Sequence, residues 1–438
     1  MENTILTTLL YYNPWIENPE GWSNAVQAHL PQAEGRPYIG RFADSNRNWP
    51  QQHKVNLVVG PRQAGKSTFI WHTLSSLGPK ILYVNANELS LRQWCDSPAR
   101  VAAEISEILP DPRGLFFEEV QYLENGGLFL KGLADLHLGI PIFATGSSSF
   151  HLLDQMRESL AGRAERVLLL PFSLNEWESE VKSKADAIYQ HEMNKHLHRA
   201  LVYGSYPEVS FSDQPQIVLN RLLEAFVIRD ASDTFRIKHV AKFRQLLVLM
   251  AGQISNLVNY TEWSSATGLD VKTVESYAGI LEESHIIRLL PPFVGGKRAE
   301  IISTPKIFFV DNGIRNQMIN QFNEFEVRAD RGVLFENWVF SELLKNSAFT
   351  DTLHFWRSKG GAEVDFVRQR GDCIEAFEAK ATHLKNRKLS RSARSFIDAY
   401  GPDTFTLINL NLNQEERTNK TRIRFVDPLK FLQNIGHR

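Results

Sequence analysis

The most constraining feature of this 438-residue chain is the segment Gly60–Ser67, which reads Gly-Pro-Arg-Gln-Ala-Gly-Lys-Ser and fits the pattern G-x-x-x-x-G-K-S/T. It directly follows the apolar run Val55–Val59 and directly precedes Ser67–Ile70, which opens a helical pattern. A strand, a glycine-containing turn and a helix in this order turn backbone amides and a helix amino terminus towards an anion. The sequence therefore predicts a phosphate-binding loop on a parallel α/β sheet.

Each residue of this loop is a candidate nucleotide contact, together with the residue that follows it. The candidates are Gly60, Pro61, Arg62, Gln63, Ala64, Gly65, Lys66, Ser67 and Thr68. We expect ATP and Mg²⁺ as the bound species, with Lys66 reaching the β and γ phosphates and Ser67 holding the metal ion. The alternative is a chance match to the pattern, which the strand and helix on either side disfavour.

An acidic pair ends the apolar run Leu115–Phe117 and supplies the carboxylates that a magnesium-dependent hydrolase needs on another strand. We assign Glu118 to Mg²⁺ coordination through water and Glu119 to polarising the attacking water. The usual first member of such a pair is Asp, so the longer Glu118 side chain would reposition the ion or slow hydrolysis. An exposed acidic pair at the end of a strand is the alternative.

Further candidates for the reaction follow the run Ile142–Thr145. Either Thr145 or Ser147, in a hydroxyl-rich turn, is expected to contact the γ phosphate, with a plain turn as the alternative. Arg163 and Arg229 are candidates to act across a subunit interface, because a guanidinium group on the transferring phosphoryl accelerates the reaction. Most arginines only solvate a surface.

Length, charge and cysteine content limit the class of protein. The length predicts two or three domains. With 49 basic and 50 acidic residues the net charge is −1, so any contact with DNA must be local. Cys95 and Cys373 have neither a metal-type nor a redox-type spacing and indicate free thiols in a reducing compartment. Without an apolar run long enough to span a bilayer, we expect a soluble, cytoplasmic protein with no membrane partner.

Apolar periodicity predicts the order of elements. Short strands separated by helix-length segments predict a parallel sheet of βαβ units, with strands at Val55–Val59, Ile81–Val84, Leu115–Phe117 and Ile142–Thr145. After Pro171 the pattern is helical. A helix-turn-helix with a two-stranded wing is predicted from Trp263–Leu269, Val271–Glu283, Ile286–Leu290 and Lys306–Val310. A final segment is predicted from the helix Val333–Leu344 and the strands Leu353–Trp356, Val364–Val367, Ile374–Lys380 and Thr404–Leu410.

Taken together, these motifs resemble a prokaryotic AAA+ ATPase family that joins an origin-recognition-like ATPase module to a carboxy-terminal domain of unknown function with a restriction-endonuclease-like look. The resemblance covers residues 56–425. Besides the phosphate loop, its marks are Thr-Gly-Ser-Ser at 145–148, Ser-Leu-Ala-Gly-Arg at 159–163, Leu-Pro-Phe-Ser-Leu-Asn-Glu at 170–176, Gly-Ser-Tyr-Pro-Glu-Val at 204–209, Arg-Gly-Val-Leu-Phe-Glu-Asn at 331–337 and Gly-Ala-Glu-Val-Asp-Phe at 361–366. The chain departs from the family at Glu118, usually Asp, and at Ser205, usually Gly.

The resemblance implies an ATPase that assembles into a homo-oligomer such as a ring, carries a winged helix and acts on DNA. On this basis the expected fold is an α/β P-loop AAA+ module followed by a helical lid, a winged helix-turn-helix and an endonuclease-like α/β domain. The expected boundaries are 1–53 for an irregular amino-terminal lead-in, 54–172 for the ATPase core, 173–240 for the lid, 241–325 for the winged helix and 326–438 for the endonuclease-like domain.

A restriction-type nuclease centre needs an acidic residue ending one strand and, on the next strand, an acidic residue, a spacer and a lysine. Asp365 and the segment Glu378-Ala379-Lys380 have this pattern, and Glu336 on the preceding helix would complete the site. The pattern is common in unrelated sheets, so a retained fold without cleavage is the alternative.

Two segments are candidates for DNA contact. The second helix of the helix-turn-helix would present Lys272, Thr273 and Ser276 to a groove, unless this module only binds protein. A basic run without an acidic residue would neutralise phosphates, or else form a solvated helix face, and comprises Lys385, Arg387, Lys388, Arg391 and Arg394.

Three functions remain open from the sequence. The first is an ATP-driven DNA-processing motor or remodeller, with branched DNA such as a Holliday junction as a substrate recognised by shape. The second is an ATP-regulated nuclease. The third is a switch that uses ATP to control a protein partner and contacts no DNA.

Overall fold

The computed structural model describes residues 3–45, 49–52, 54–147, 160–182, 185–226, 237–293, 304–348, 350–418 and 420–435. The chain divides into two compact units, residues 1–171 with 283–285, and residues 172–282 with 286–438. The first contains a five-stranded sheet, and the second a six-stranded and a two-stranded sheet. The predicted mixed α/β fold is confirmed.

The sheet of the first unit is parallel throughout. Its strands are β1 (Val55–Gly60), β2 (Ile81–Asn85), β3 (Gly114–Glu118), β4 (Ile142–Ser147) and β5 (Ala164–Leu168), in the order β2-β3-β4-β1-β5. The four predicted strands are present. The edge strand β5 was not predicted, because Glu165 and Arg166 interrupt its apolar residues and only one of its five residues is buried.

Helices cover the two faces of this sheet. They are Lys66–Ser75, Leu89–Trp94, Pro98–Ile108 and Gly126–Asp135. Successive strand residues enter opposite faces, so Leu57 packs in one apolar cluster and Val58 in the other. The continuous apolar strands of the sequence therefore reflect burial on both faces.

The segment that precedes β1 is not irregular, as the sequence had suggested. It contains the helices Asn3–Tyr12 and Trp22–Ala28. Between them, the Asn13 side chain accepts a hydrogen bond from the Tyr83 amide (2.7 Å) and donates one to the Tyr83 carbonyl (2.8 Å). The Trp15 indole donates to the carbonyl of Ile81 at 2.9 Å. These bonds cover the outer edge of β2 and satisfy backbone groups that an edge strand otherwise exposes.

The second unit begins with helices, as the sequence predicts after Pro171. They are Glu178–Val181, Asp186–Tyr203, Pro207–Phe211, Pro215–Ala225 and Val240–Gly252, followed by Tyr260–Thr267 and Val271–Glu283. Gly268 ends the helix Tyr260–Thr267 in a left-handed conformation (φ +61°), which glycine adopts without strain. After the helix Val271–Glu283, strands β6 (Ile287–Leu290) and β7 (Lys306–Phe309) form an antiparallel pair.

The remaining elements build the six-stranded sheet. Its strands are β8 (Thr352–Arg357), β9 (Glu363–Arg370), β10 (Cys373–Ala379), β11 (Thr404–Ile408), β12 (Gln414–Thr418) and β13 (Thr421–Val426), in the order β12-β13-β11-β10-β9-β8. Strand β10 is antiparallel to β9 and parallel to β11. The accompanying helices are Asn312–Met318, Arg331–Lys345, Arg391–Tyr400 and Pro428–Ile435. The polar edge strand β12 was not predicted, because Gln414–Thr418 carries no apolar residue.

None of the helices in the described ranges is both long and apolar enough to cross a membrane.

Candidate functional site

The predicted phosphate loop connects β1 to the helix Lys66–Ser75. Gly60 has φ +151°, and a Cβ there would lie 2.1 Å from the carbonyl oxygen of Leu169. Gly65 has φ +91°, and Gln63 has φ +59°. The loop thus needs glycine at both ends, for close backbone approach at Gly60 and for a left-handed residue before the helix at Gly65.

The Lys66 side chain is folded over this loop. It is 5% exposed, and its ammonium donates hydrogen bonds to the carbonyl oxygens of Gly60 (3.0 Å) and Pro61 (2.9 Å). Ser67 and Thr68 follow in the first turn of the helix. The positive end of a helix dipole and a lysine ammonium therefore lie at one loop, which fits a phosphate group.

Glu118, at the carboxyl end of β3, lies beside the loop. Its Oε1 atom accepts a hydrogen bond from the Ser67 hydroxyl, and its Oε2 atom accepts one from the Tyr83 hydroxyl. Burial raises the pKa of Glu118 above its ordinary value, and the two hydroxyl bonds oppose the rise. A hydroxyl and a carboxylate oxygen are both ligands that Mg²⁺ accepts, so this pair fits the predicted metal position.

Glu119 and Thr145 lie at the same edge of the sheet. The Glu119 amide donates to the Thr145 hydroxyl at 3.0 Å, and Thr145 is fully buried. Glu119 has φ +58°, and its carboxylate accepts a hydrogen bond from the side chain of Gln121. The Ser147 side chain, with Ser148, Ser149 and Arg229, lies outside the described part of the chain.

One arginine beside the loop was not identified from the sequence. Arg41 is 6% exposed, and its guanidinium donates to the carbonyl oxygens of Ala64 (3.0 Å) and Leu170 (2.6 Å). It thereby ties the loop to the segment after β5. The run Ile39-Gly40-Arg41-Phe42 carries no periodic signal that marks this role.

Two of the predicted arginines, Arg62 and Arg163, have partners within the chain. The Arg62 guanidinium donates to the Tyr122 hydroxyl at 3.0 Å. Arg163, about two-fifths exposed, pairs with Asp135 at 2.5 Å. An exposed pair of this kind is weak and leaves Arg163 able to exchange partners.

The four predicted nuclease residues come together in the second unit. Asp365 on β9 accepts a hydrogen bond from the Ala379 amide at 2.7 Å, and the Lys380 ammonium lies 2.9 Å from Oε1 of Glu378. Burial raises the pKa of Asp365 to about 6, and the charge of Lys380 opposes this rise. Burial and the Asp365 carboxylate together raise the pKa of Glu336 to about 8.

A further cation enters this cluster from β7. Lys306 is 4% exposed, and its ammonium pairs with Glu363 and lies 3.7 Å from Oε1 of Glu336. The Ser255 hydroxyl donates to the same Glu336 oxygen. In the described ranges, no group of three or more His, Cys, Asp or Glu side chains is arranged to hold a metal ion. Lys306 thus pairs with Glu336, and Lys380 pairs with Glu378, so two of the predicted carboxylates have a cation partner.

The predicted DNA contacts are mostly exposed. Lys272 is exposed, but the Thr273 hydroxyl donates to Asp270 at 2.5 Å and helps to cap the helix Val271–Glu283. The residues of the basic run, which are Lys385, Arg387, Lys388, Arg391 and Arg394, are all exposed. Within this run, Arg387 lies 3.9 Å from Glu416, a distance at which the ion pair is weak.

Three family models match successive parts of the chain. Residues 52–178 match an AAA domain. Residues 194–324 and 331–430 match two different domains of unknown function, DUF8612 and DUF4143. The first match supports a P-loop ATPase of the AAA+ class in the part of the chain that holds the phosphate loop. The predicted resemblance is confirmed to that extent.

Several relatives are similar at low identity over about three quarters of the chain. An uncharacterized protein of Methanocaldococcus jannaschii is 24% identical, and the matched region covers 72% of this chain and 72% of that protein. One from Haemophilus influenzae is 23% identical over 73% of this chain and 80% of its own. One from Mycobacterium tuberculosis is 25% identical over 78% and 73%.

Solved structures are distantly similar. The replication initiator DnaA, bound to AMPPCP and single-stranded DNA, is 12% identical, with 55% of this chain and 86% of that chain covered and a TM-score of 0.23. Cdc6p from Pyrobaculum aerophilum is 13% identical, with 61% and 87% covered and a TM-score of 0.23.

Proposed function

We propose that this chain is a Mg²⁺-dependent ATP hydrolase of the AAA+ class that acts on DNA. One observation supports the ATPase part above all: the Ser67 hydroxyl bonds the Glu118 carboxylate directly beside the loop that Lys66 covers. These are the groups that phosphoryl transfer requires at one place. Bound Mg²⁺ would supply neutralisation of the phosphate charge, with Ser67 and Glu118 holding it.

The other residues of this edge have roles that follow from their positions. Loop amides of residues 60–67 would bind the phosphates, and Lys66 would leave its carbonyl partners to reach the β and γ phosphates. Glu119 would orient the attacking water, and Thr145 would position Glu119 through its amide. Arg163, exposed in the single chain, would act on the nucleotide of a neighbouring subunit in a homo-oligomer.

The DNA part of the proposal depends on the second unit. The exposed basic run can neutralise phosphates, and Lys272 lies on the second helix of the helix-turn-helix. Since Thr273 is occupied by its bonds to Asp270, sequence reading at this helix is weak. Recognition by shape and charge, including branched DNA, is therefore favoured over base reading.

The ATPase proposal is tested by Lys66→Ala. We expect hydrolysis to fall at least about a thousandfold, because the lysine stabilises charge that develops in the transition state. The measurement is phosphate release with Mg²⁺ and no DNA, then with duplex, single-stranded and four-way-junction DNA. Unchanged turnover in Lys66→Ala would overturn the proposal. A rate independent of every DNA form would leave the protein-directed ATP switch in its place.

An ATP-regulated nuclease is the second candidate, because Glu336, Asp365, Glu378 and Lys380 lie in one cluster. The pairing of Lys306 with Glu336 and Glu363 weighs against it. Mg²⁺-dependent cleavage that is lost in Asp365→Ala would distinguish this candidate from a motor without nuclease activity.

A further inference from the structure

We propose that Tyr83 is a positioning residue that lets Glu118 take the metal-site role usually filled by the shorter aspartate. The inference rests on the proposed function and concerns the same edge of the sheet. Glu118 is held at both carboxylate oxygens, Oε1 by the Ser67 hydroxyl and Oε2 by the Tyr83 hydroxyl. Ser67 is the expected metal ligand, so Tyr83 is the partner that can stay on Glu118 when metal binds.

Sheet register places Tyr83 where its hydroxyl reaches Glu118. Strands β2 and β3 are parallel, with Tyr83 opposite Phe116 and Asn85 opposite Glu118. Paired residues share a face, and so do residues two apart on one strand. Tyr83 and Glu118 therefore lie on one face, and the long phenol spans the diagonal between them.

The surroundings of Tyr83 fix its hydroxyl. The side chain is 5% exposed, and its ring centroid lies 5.3 Å from that of Trp71 and 5.4 Å from that of Phe116. The Asn13 side chain holds the backbone of Tyr83 through hydrogen bonds to both the Tyr83 amide and the Tyr83 carbonyl. A buried ring that packs against two other rings, on a residue whose backbone is also hydrogen-bonded, presents its hydroxyl in one position.

A glutamate at this position needs such a partner. Compared with aspartate it has one more methylene and one more torsion, so ordering its carboxylate costs more conformational entropy. A bond at Oε2 fixes the last torsion and leaves Oε1 directed at Ser67. Burial raises the pKa of Glu118 and that of Tyr83, and the hydrogen bond favours the charged carboxylate with a neutral phenol.

The test is a double-mutant cycle in the full chain, with Tyr83→Phe and Glu118→Asp made singly and together. The shorter aspartate cannot reach the Tyr83 hydroxyl, so removing that hydroxyl should then matter little. The readout is the affinity for a fluorescent ADP analogue titrated with Mg²⁺, which does not depend on turnover. In the chain that keeps Glu118, Tyr83→Phe should raise about tenfold the Mg²⁺ concentration at which binding of the ADP analogue is half-maximal. A tenfold change corresponds to the loss of about one hydrogen bond to a charged group. In the Glu118→Asp background the change should stay below about twofold.

Tyr12→Phe is the matched control. Its ring lies 6.2 Å from that of Tyr83 in the same aromatic group, and the substitution leaves both Glu118 bonds in place, so the Mg²⁺ requirement should not change. Equal effects of Tyr83→Phe in both backgrounds, or none in either, would overturn the inference and leave the ATPase proposal standing. An unsubstituted chain that binds no ADP, or binds it equally well as Lys66→Ala, would overturn the ATPase proposal and this inference with it.

Discussion

Several charged side chains of this chain are buried, and each depends on the partners that surround it. Lys66 is buried against loop carbonyls, Arg41 ties that loop to the segment after β5, and Lys306 is buried against Glu336 and Glu363. A buried charge that keeps partners is tolerated, whereas removing one partner leaves the other uncompensated. Substitutions at these positions therefore report on the neighbours as well as on the residue itself.

Glu336 gives a pH prediction at the residue scale. Burial and the Asp365 carboxylate raise its pKa from 4.5 to about 8, against the opposing charge of Lys306 and the Ser255 hydroxyl, while Glu363 adds to the rise. A carboxyl group with a raised folded-state pKa binds its proton more tightly in the folded chain. Its contribution to stability is therefore fully present below pH 4.5 and is lost as the pH rises to about 8.

We expect Glu336→Gln to flatten this part of the pH dependence. Between pH 5 and pH 8 the unsubstituted chain should lose about 1–3 kcal/mol more unfolding free energy than the variant. Denaturant unfolding at the two pH values measures the difference. Glu180→Gln, at an exposed glutamate, is the control and should follow the unsubstituted chain. Superimposable curves for Glu336→Gln and the unsubstituted chain would contradict the prediction.

Among the elements, the segment before β1 is part of the ATPase unit and covers the edge of β2. Ile5 and Leu9 of its first helix are buried in the same apolar cluster as Leu57 of β1. Asn13 and Trp15 then supply hydrogen-bond partners to β2. The segment thus completes the sheet on the side that also carries Tyr83.

Asn13→Ala tests this contribution at the element scale. The substitution leaves the Tyr83 amide and carbonyl, which are buried, without their side-chain partner. We expect the unfolding free energy to fall by about 2–4 kcal/mol, since each buried group left unsatisfied costs about 1–3 kcal/mol. Chemical denaturation followed by tryptophan fluorescence measures it. Asn18→Ala, at an exposed position just outside this contact, should change stability by less than about 0.5 kcal/mol. A similar loss in both variants would mean that the edge contact is not the cause.

At the scale of the whole molecule, charge is balanced overall and local where it is basic. The net charge of −1 gives the chain no general attraction to DNA. The exposed basic run from Lys385 to Arg394 is a local positive charge that can attract DNA phosphates at one place. The phosphate loop and this run lie in different compact units. The proposed ATP hydrolysis and the proposed DNA binding should therefore be separable by substitution.

The double substitution Lys385→Ala/Lys388→Ala should weaken DNA binding and leave DNA-free ATP hydrolysis unchanged. Log affinity falls as log salt rises, and each lost phosphate contact makes this negative slope shallower by about 0.9, so the pair should make it shallower by about 2. Fluorescence anisotropy with labelled duplex DNA at several salt concentrations measures the slope. Lys182→Ala/Lys195→Ala, at exposed lysines elsewhere in the same unit, is the control. An unchanged slope would remove the basic run from the proposed interface.

Features of this chain that depend on local pattern are predictable from the order of its residues. Residue type and spacing over short distances predict the phosphate loop, the strand before it and the helix after it, as well as helices near Tyr260–Thr267, Val271–Glu283 and Arg331–Lys345. Glu336, Asp365, Glu378 and Lys380 were also predicted as one group, because an acidic residue on one strand followed by an acidic residue, a spacer and a lysine on the next is the pattern of a restriction-type nuclease centre.

The distant residues that complete these sites are brought into place by tertiary packing. Tyr83 reaches Glu118, Arg41 reaches Ala64, and Lys306 reaches Glu336, each across a separation that no periodic pattern records. The polar edge strands β5 and β12 are likewise held by backbone pairing to a neighbour and not by an apolar run of their own. Local sequence encodes burial and turn geometry, whereas the partner of a buried polar group is fixed by how the elements pack.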